Sequence, residues 1–201
     1  TSHVDIEAAT RHGVVVVNTP ARNAQAVAEH ALGLMLALAK RIPAGHAYIE
    51  DGGWQNPAEP YMSMRGVELA GRSLGLIGVG AIGARLARIG AALGMKVLGY
   101  DPDPRLKTTR YLPVDLDTLM AAADYISIHV PATPETEDLI DARRLAMMKP
   151  TAYLINTSDA SVVDHEALAR ALSGDRIAGA ACDVFESHPI APDNPLLGLD
   201  N

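Results

Sequence analysis

The chain has 201 residues, 48% of them hydrophobic, with 17 Lys and Arg set against 24 Asp and Glu for a net charge of -7. That length buries one large core and leaves little for a second complete domain. The acidic balance has no basic cluster to offset it and argues against a nucleic-acid partner, and Cys182, the single cysteine, excludes an intrachain disulfide.

The chain opens on Thr1-Ser2-His3-Val4-Asp5, with no initiator methionine, basic leader or apolar leader, so no signal peptide is visible and the sequence reads as an excised piece. Four valines at 14–17 run into Asn18-Thr19-Pro20, the pattern of a short buried strand that Pro20 cannot continue. Residues 24–40 read as a helix that is apolar on nearly every face between Ala31 and Ala39, yet too short to span a membrane. Such a helix belongs in a core, between domains, or shared with another subunit. Residues 43–73, with Gly52-Gly53-Trp54, Pro57 and Pro60, read as an irregular connector in which Trp54 is a packing anchor.

The densest signal follows. The apolar run Leu74-Gly75-Leu76-Ile77 leads into Gly78-Val79-Gly80-Ala81-Ile82-Gly83, and then Ile82, Leu86, Ile89 and Leu93 recur at helical spacing until Gly94. In this order the three glycines serve separate ends: a tight turn at Gly78, close approach of a pyrophosphate to backbone amides at Gly80, and close helix-to-strand packing at Gly83. A second strand, 95–100, ends in Asp101, about twenty residues past the glycines, where an acid is expected on the adenosine ribose. A carboxylate there repels a 2'-phosphate, so the expected cofactor is NAD rather than NADP.

Further strands are expected near 124–129, 152–156 and 177–182, with helices between them, Asp115 and Asp164 as N-caps and Asp141 opening the segment before Met147-Met148. This predicts an α/β fold, a Rossmann-like doubly wound parallel sheet, with part of a second domain at the N-terminus. Ligands in such sheets lie beyond the carboxyl ends of the strands, which singles out Gly78–Gly83, Asp101, His129-Val130-Pro131, and Asn156 to Asp159 together with Asp183. For His129 a capped strand end with no chemical duty stays open beside a cofactor contact. For Asn156, Thr157 and Ser158 a side-chain-stabilised turn stays open too. Cys182, in Ala180-Ala181-Cys182 with no basic neighbour, reads as a core thiol of a reducing, cytoplasmic protein rather than a nucleophile.

Taken together, these segments resemble the NAD-binding portion of the D-2-hydroxyacid dehydrogenases, with the phosphoglycerate dehydrogenase branch most similar. The resemblance rests on Val4 to Thr10, Asn18-Thr19-Pro20, Ala26-Val27-Ala28-Glu29, Leu69 to Gly75, the glycine motif, His129-x-Pro131, Met148-Lys149-Pro150, Ile155-Asn156-Thr157 and Ile177 to Glu186. It implies residues 1–20 as a remnant of a substrate domain, 21–73 as interdomain helix and connector, and 74–201 as the NAD-binding domain. It also implies a small-molecule substrate and a homodimer formed through the nucleotide domains. The cofactor set it implies is Gly78, Gly80, Ala81, Ile82, Gly83, Asp101, His129, Pro131, Asn156, Thr157 and Asp183, the last toward the nicotinamide amide.

The catalytic end departs from the pattern. Where the family has Asn-Thr-x-Arg-Gly, this chain has Asn156-Thr157-Ser158-Asp159-Ala160, and where it has Glu before Pro, this chain has His188 before Pro189. The family's catalytic His would fall beyond Asn201, so the 201 residues alone are expected to be inactive. An acid in place of an Arg fork repels a substrate carboxylate. The paired change of sign suggests that Asp159 and His188 face each other across the nicotinamide pocket, with Asp159 raising the His188 pKa and His188 serving as acid/base or cationic anchor.

Overall fold

The structure, a computed structural model, describes residues 4–103 and 111–201. Six parallel strands form one sheet: β1 (Ser73–Ile77), β2 (Lys96–Tyr100), β3 (Leu112–Pro113), β4 (Tyr125–Ile128), β5 (Tyr153–Asn156) and β6 (Gly179–Cys182). Their order across the sheet is β3-β2-β1-β4-β5-β6, so the chain moves outward one way from β1, returns, and moves outward the other way. That reversal places a crevice at the carboxyl ends of β1 and β4. The five expected strands are all present. β3, only two residues long and ending in Pro113, carries too little pattern to be read from sequence, and as an edge strand it tolerates proline.

Among the described residues eight α-helices accompany the sheet: α1 (Ile6–Arg11), α2 (Ala24–Ala39), α3 (Ile42–Glu50), α4 (Ala58–Ser63), α5 (Gly83–Ala92), α6 (Leu116–Ala122), α7 (Ala142–Met147) and α8 (His165–Ser173). One face carries α2 and α5, with Ala28, Ala31, Met35, Leu86 and Ala87 packed on Leu74, Leu76 and Ile155. The other face carries α6, α7 and α8, with Leu119, Leu145 and Leu168 packed on Ile77, Ile126 and Leu154. β1, β4 and β5 thus feed both cores through their alternating side chains. The carboxylates of Asp115, Asp141 and Asp164 accept the backbone N–H three residues on and cap α6, α7 and α8.

Two expectations do not hold. Val14 to Val17 form no strand, with Val15 at 86% and Val17 at 83% exposure, because no neighbouring strand among the described residues offers their backbone a ladder. The stretch 43–73 is not irregular throughout: Pro43 sits in the first turn of α3, where its missing N–H costs nothing, and α4 follows Pro57. Trp54 is 58% exposed, an anchor without a seat within this chain. No helix among the described residues is long and apolar enough to cross a membrane.

Candidate functional site: the carboxyl edge of the sheet

Gly78 leaves β1 with φ +92°, and a Cβ there would lie 2.7 Å from the backbone of His129. Only glycine meets both conditions. A Cβ on Gly83 would fall on the Gly78 carbonyl, so α5 starts in contact with the loop. At Gly80 a Cβ would meet nothing within 4 Å, which leaves the loop open on the crevice side. The N–H groups of Gly80, Ala81 and Ile82 have no acceptor among the described residues, and they stand at the positive end of the ten-residue α5. Free amides and a helix N-terminus together make an anion seat.

Asp101, just past β2, accepts the Val79 N–H at 2.7 Å through Oδ2 and the Asp103 N–H at 2.9 Å through Oδ1. The carboxylate is therefore locked against the glycine loop. An ionised carboxylate has about four lone-pair sites, so two bonds leave capacity for a ligand hydroxyl.

On the other side of β1, Ser127 and His129 share a face of β4 and its extension, and Ser127 Oγ lies 3.0 Å from His129 Nε2. Sequence reading missed Ser127, although the i, i+2 spacing that pairs it with His129 was visible. Burial pushes the His129 pKa down to about 4, so the ring is neutral at pH 7. Its Nδ1 is buried without a partner, and so is Oγ1 of Thr157, which follows β5. Two orphaned polar atoms and three free amides along one edge are groups that a dinucleotide's hydrogen-bonding atoms would satisfy, and the residues fit that cofactor. Pro131 bends the chain away, its carbonyl accepting the Thr136 hydroxyl at 2.7 Å.

Asn156, expected among the cofactor contacts, spends its side chain locally. Its Oδ1 accepts from the Ser158 N–H and hydroxyl, and its Nδ2 donates to the Asp159 carbonyl at 2.8 Å. The side-chain-stabilised turn is the role its bonds show. Asp159 does likewise: Oδ1 accepts the Ser161 N–H at 3.0 Å and the Ser161 hydroxyl at 2.8 Å, capping a 3-10 turn over Ala160–Val162. His188 is exposed and makes no hydrogen bond or ion pair among the described residues. The expected pairing of Asp159 with His188 is not made, because the nearer Ser161 donors hold the carboxylate.

Asp183, just past β6, donates its N–H to the Asn156 carbonyl, and its Oδ1 lies 3.3 Å from Nε2 of His30 on α2. His30 was not anticipated, since it sits 153 positions away, just before the stretch Ala31 to Ala39 that reads as apolar on nearly every face. Cys182 lies behind this edge, where burial pushes its pKa up to about 11 and leaves it an unreactive thiol.

A six-stranded sheet in this order, with a glycine loop, a capped acid at β2 and open amides at one crevice, defines a dinucleotide-binding domain. Residues 32–201 match the D-isomer specific 2-hydroxyacid dehydrogenase NAD binding domain, and the chain belongs to that family. It is 45% identical to a glyoxylate reductase of Thermofilum pendens over 99% of its own length and 60% of the relative's. It is 44% identical to a D-3-phosphoglycerate dehydrogenase of Synechocystis over 94% of its length and 34% of the relative's. Among solved structures it is similar to the TT0316 protein of Thermus thermophilus, with a TM-score of 0.91 and 40% identity over 99% of this chain and 62% of that one. It is also similar to D-lactate dehydrogenase with NAD+ from Lactobacillus jensenii, with a TM-score of 0.82 and 34% identity over 94% of this chain and 56% of that one. The chain thus spans a third to three fifths of the length of these curated relatives.

Proposed function

We propose that the chain is the cofactor-binding portion of an NAD-dependent oxidoreductase that transfers hydride between NAD and a small hydroxy acid or related CH–OH compound. The observation that carries this is the open amide row of Gly80, Ala81 and Ile82 beside the locked carboxylate of Asp101. Bound NAD would supply the hydride donor or acceptor. Gly78 and Gly83 shape the loop, Asp101 meets the adenosine ribose and disfavours a 2'-phosphate, and the buried polar atoms of His129 and Thr157 are satisfied along the same edge. Pro131 turns the chain clear of the site, and Asn156 holds the turn that presents Thr157. Asp183 faces the nicotinamide amide.

At the substrate end, Asp159 removes a cationic anchor and favours substrates without a carboxylate beside the reacting carbon. His188, an exposed imidazole in the segment after β6, supplies proton transfer or a cationic contact. Asp159 makes no ion pair with it among the described residues, its carboxylate being held by Ser161. Residues 1–20 are proposed as the remnant of a substrate domain and 21–73 as the interdomain element, so the 201 residues alone would be inactive. A homodimer through this domain is supported by the exposed Ile42, Ile49, Trp54, Tyr61 and Met62 on and beside α3 and α4. A reducing, cytoplasmic setting is supported by the single free thiol.

A second reading, an NAD-binding sensor or scaffold without turnover, is favoured by one observation: Asp159 closes on its own turn rather than presenting a substrate anchor. The test is NADH oxidation by the full-length protein against a panel of 2-keto acids and uncharged carbonyl compounds, with Asp159→Arg in parallel. Turnover of uncharged carbonyls, with a gain on keto acids in the variant, is expected. Tight NAD binding with no turnover of any compound would transfer the conclusion to the sensor.

A further inference from the structure

α2 crosses the face of β5 and β6, and its amino-terminal half brings His30 to the carboxyl edge of the sheet, opposite Asp183. Asp183 is the last acid reached when the edge is followed from the glycine loop past β4 and β5, the direction away from Asp101. A dinucleotide lying across this crevice with its adenosine half at Asp101 therefore directs its other half toward Asp183. The backbone of Asp183 is fixed by its N–H bond to the Asn156 carbonyl at 3.0 Å. Its side chain is not: apart from Nε2 of His30 it has no hydrogen-bond or ion-pair partner among the described residues, and both side chains are about half exposed.

We infer that His30 is a positioning residue for Asp183, holding one carboxylate oxygen so that the other is presented to the nicotinamide amide of the dinucleotide. This rests on the cofactor reading above. The chemistry is that of a carboxylate whose rotamer must be chosen before it can accept a directed hydrogen bond. A free Asp side chain loses rotamer entropy when a ligand orders it, and a partner on a rigid helix that removes this freedom in advance lowers the cost of binding. α2 is suited to the task, since Ala24, Ala28 and Ala31 on the neighbouring turns are fully buried and fix the helix against the sheet.

The test is binding, not turnover. Calorimetric affinities of the full-length protein for NAD+ and for ADP-ribose, which lacks the nicotinamide, are measured for wild type, His30→Ala, His30→Gln, Asp183→Ala and the double alanine variant. A half-exposed polar contact of this kind is worth up to about 1 kcal/mol, so His30→Ala weakens NAD+ about threefold to fivefold. ADP-ribose affinity is unchanged, because its binding ends before Asp183. His30→Gln, which keeps an N–H donor, recovers most of the loss, and in the Asp183→Ala background removing His30 costs nothing further. Equal weakening of NAD+ and ADP-ribose would make His30 a support of the fold, and an unchanged NAD+ affinity or additive losses would also overturn the inference. Absence of ADP-ribose binding in the wild type is a different result: it would overturn the cofactor reading itself, and this inference with it.

Discussion

The two ends of the sheet's carboxyl edge are built in opposite ways. At the β1–β2 end the base of the loop and the acid are fixed: the Gly78 N–H bonds the Tyr100 carbonyl at 2.8 Å, the Val79 N–H bonds Asp101, and Asp101 accepts from the Asp103 N–H. At the β5–β6 end the backbone is tied down, but Asp183 and His188 are exposed and Asp159 is turned into its own cap. A site preorganised at one end and open at the other binds a constant group first and leaves the variable group to be completed by other parts of the molecule. The family's relatives carry additional chain beyond the part matched here, consistent with that division.

The strongest way to break the contrast is to spoil the rigid end. Gly78→Ala places a Cβ 2.7 Å from the His129 backbone at a φ of +92°. Left-handed strain and overpacking together cost roughly 4 kcal/mol. Thermal unfolding should drop by roughly 8–16 °C, given about 2–4 °C per kcal/mol for a chain of this size. NAD binding should fall with it. A variant with wild-type melting temperature would show that the loop is less constrained than its geometry implies.

Next comes acid. His129 has a folded pKa of about 4 against an unfolded value near 6.5, so below pH 6.5 the unfolded chain binds a proton that the folded chain refuses. Stability therefore falls as pH drops from about 6.5 to about 4, by about 3 kcal/mol in all, and levels off with respect to this group below that. Urea unfolding between pH 7 and 4 measures the slope, and His129→Asn should flatten it.

Cofactor choice should respond more modestly. Asp101→Asn keeps an oxygen to accept the Val79 N–H, gives up the bond from the Asp103 N–H and removes the charge, so the glycine loop keeps its tie while the bar to a 2'-phosphate is lifted. A shift of about tenfold in the ratio of NADP to NAD affinity, about 1.4 kcal/mol, is the expected outcome. Asp101→Ala would confuse the experiment, because it also strands the Val79 N–H.

How far the sequence disclosed this contrast follows from the range of the forces involved. The glycine loop, the caps at Asp115, Asp141 and Asp164, and five of the strands are set by residues within a turn or two of one another, and all were legible. The Val14–Val17 run was misread because a strand's existence depends on a partner that local pattern does not report. Contacts distant in sequence, such as His30 with Asp183, leave no local trace. The pairing of Asp159 with His188 was an argument from charge alone, and it lost to Ser161, a donor two residues away that any acid at this position would find first.

That last point yields the smallest and most discriminating prediction. If Asp159 serves its turn, Asp159→Ala loses a cap and about 1 kcal/mol of stability, whereas Asp159→Asn, which still offers an oxygen to the Ser161 N–H, loses only a few tenths, as a rough guide. His188→Ala, at an exposed position with no hydrogen-bond or ion-pair partner among the described residues, should change stability by less than about 0.5 kcal/mol. Combined, the alanine variants should add within about 0.5 kcal/mol, as unconnected sites do. A coupling near 1 kcal/mol or more would mean that the two side chains meet in solution. The open end would then hold an acid–base pair of its own, and the contrast with the locked carboxylate of Asp101 would narrow to one of timing, a group ordered before the ligand arrives against one ordered by it.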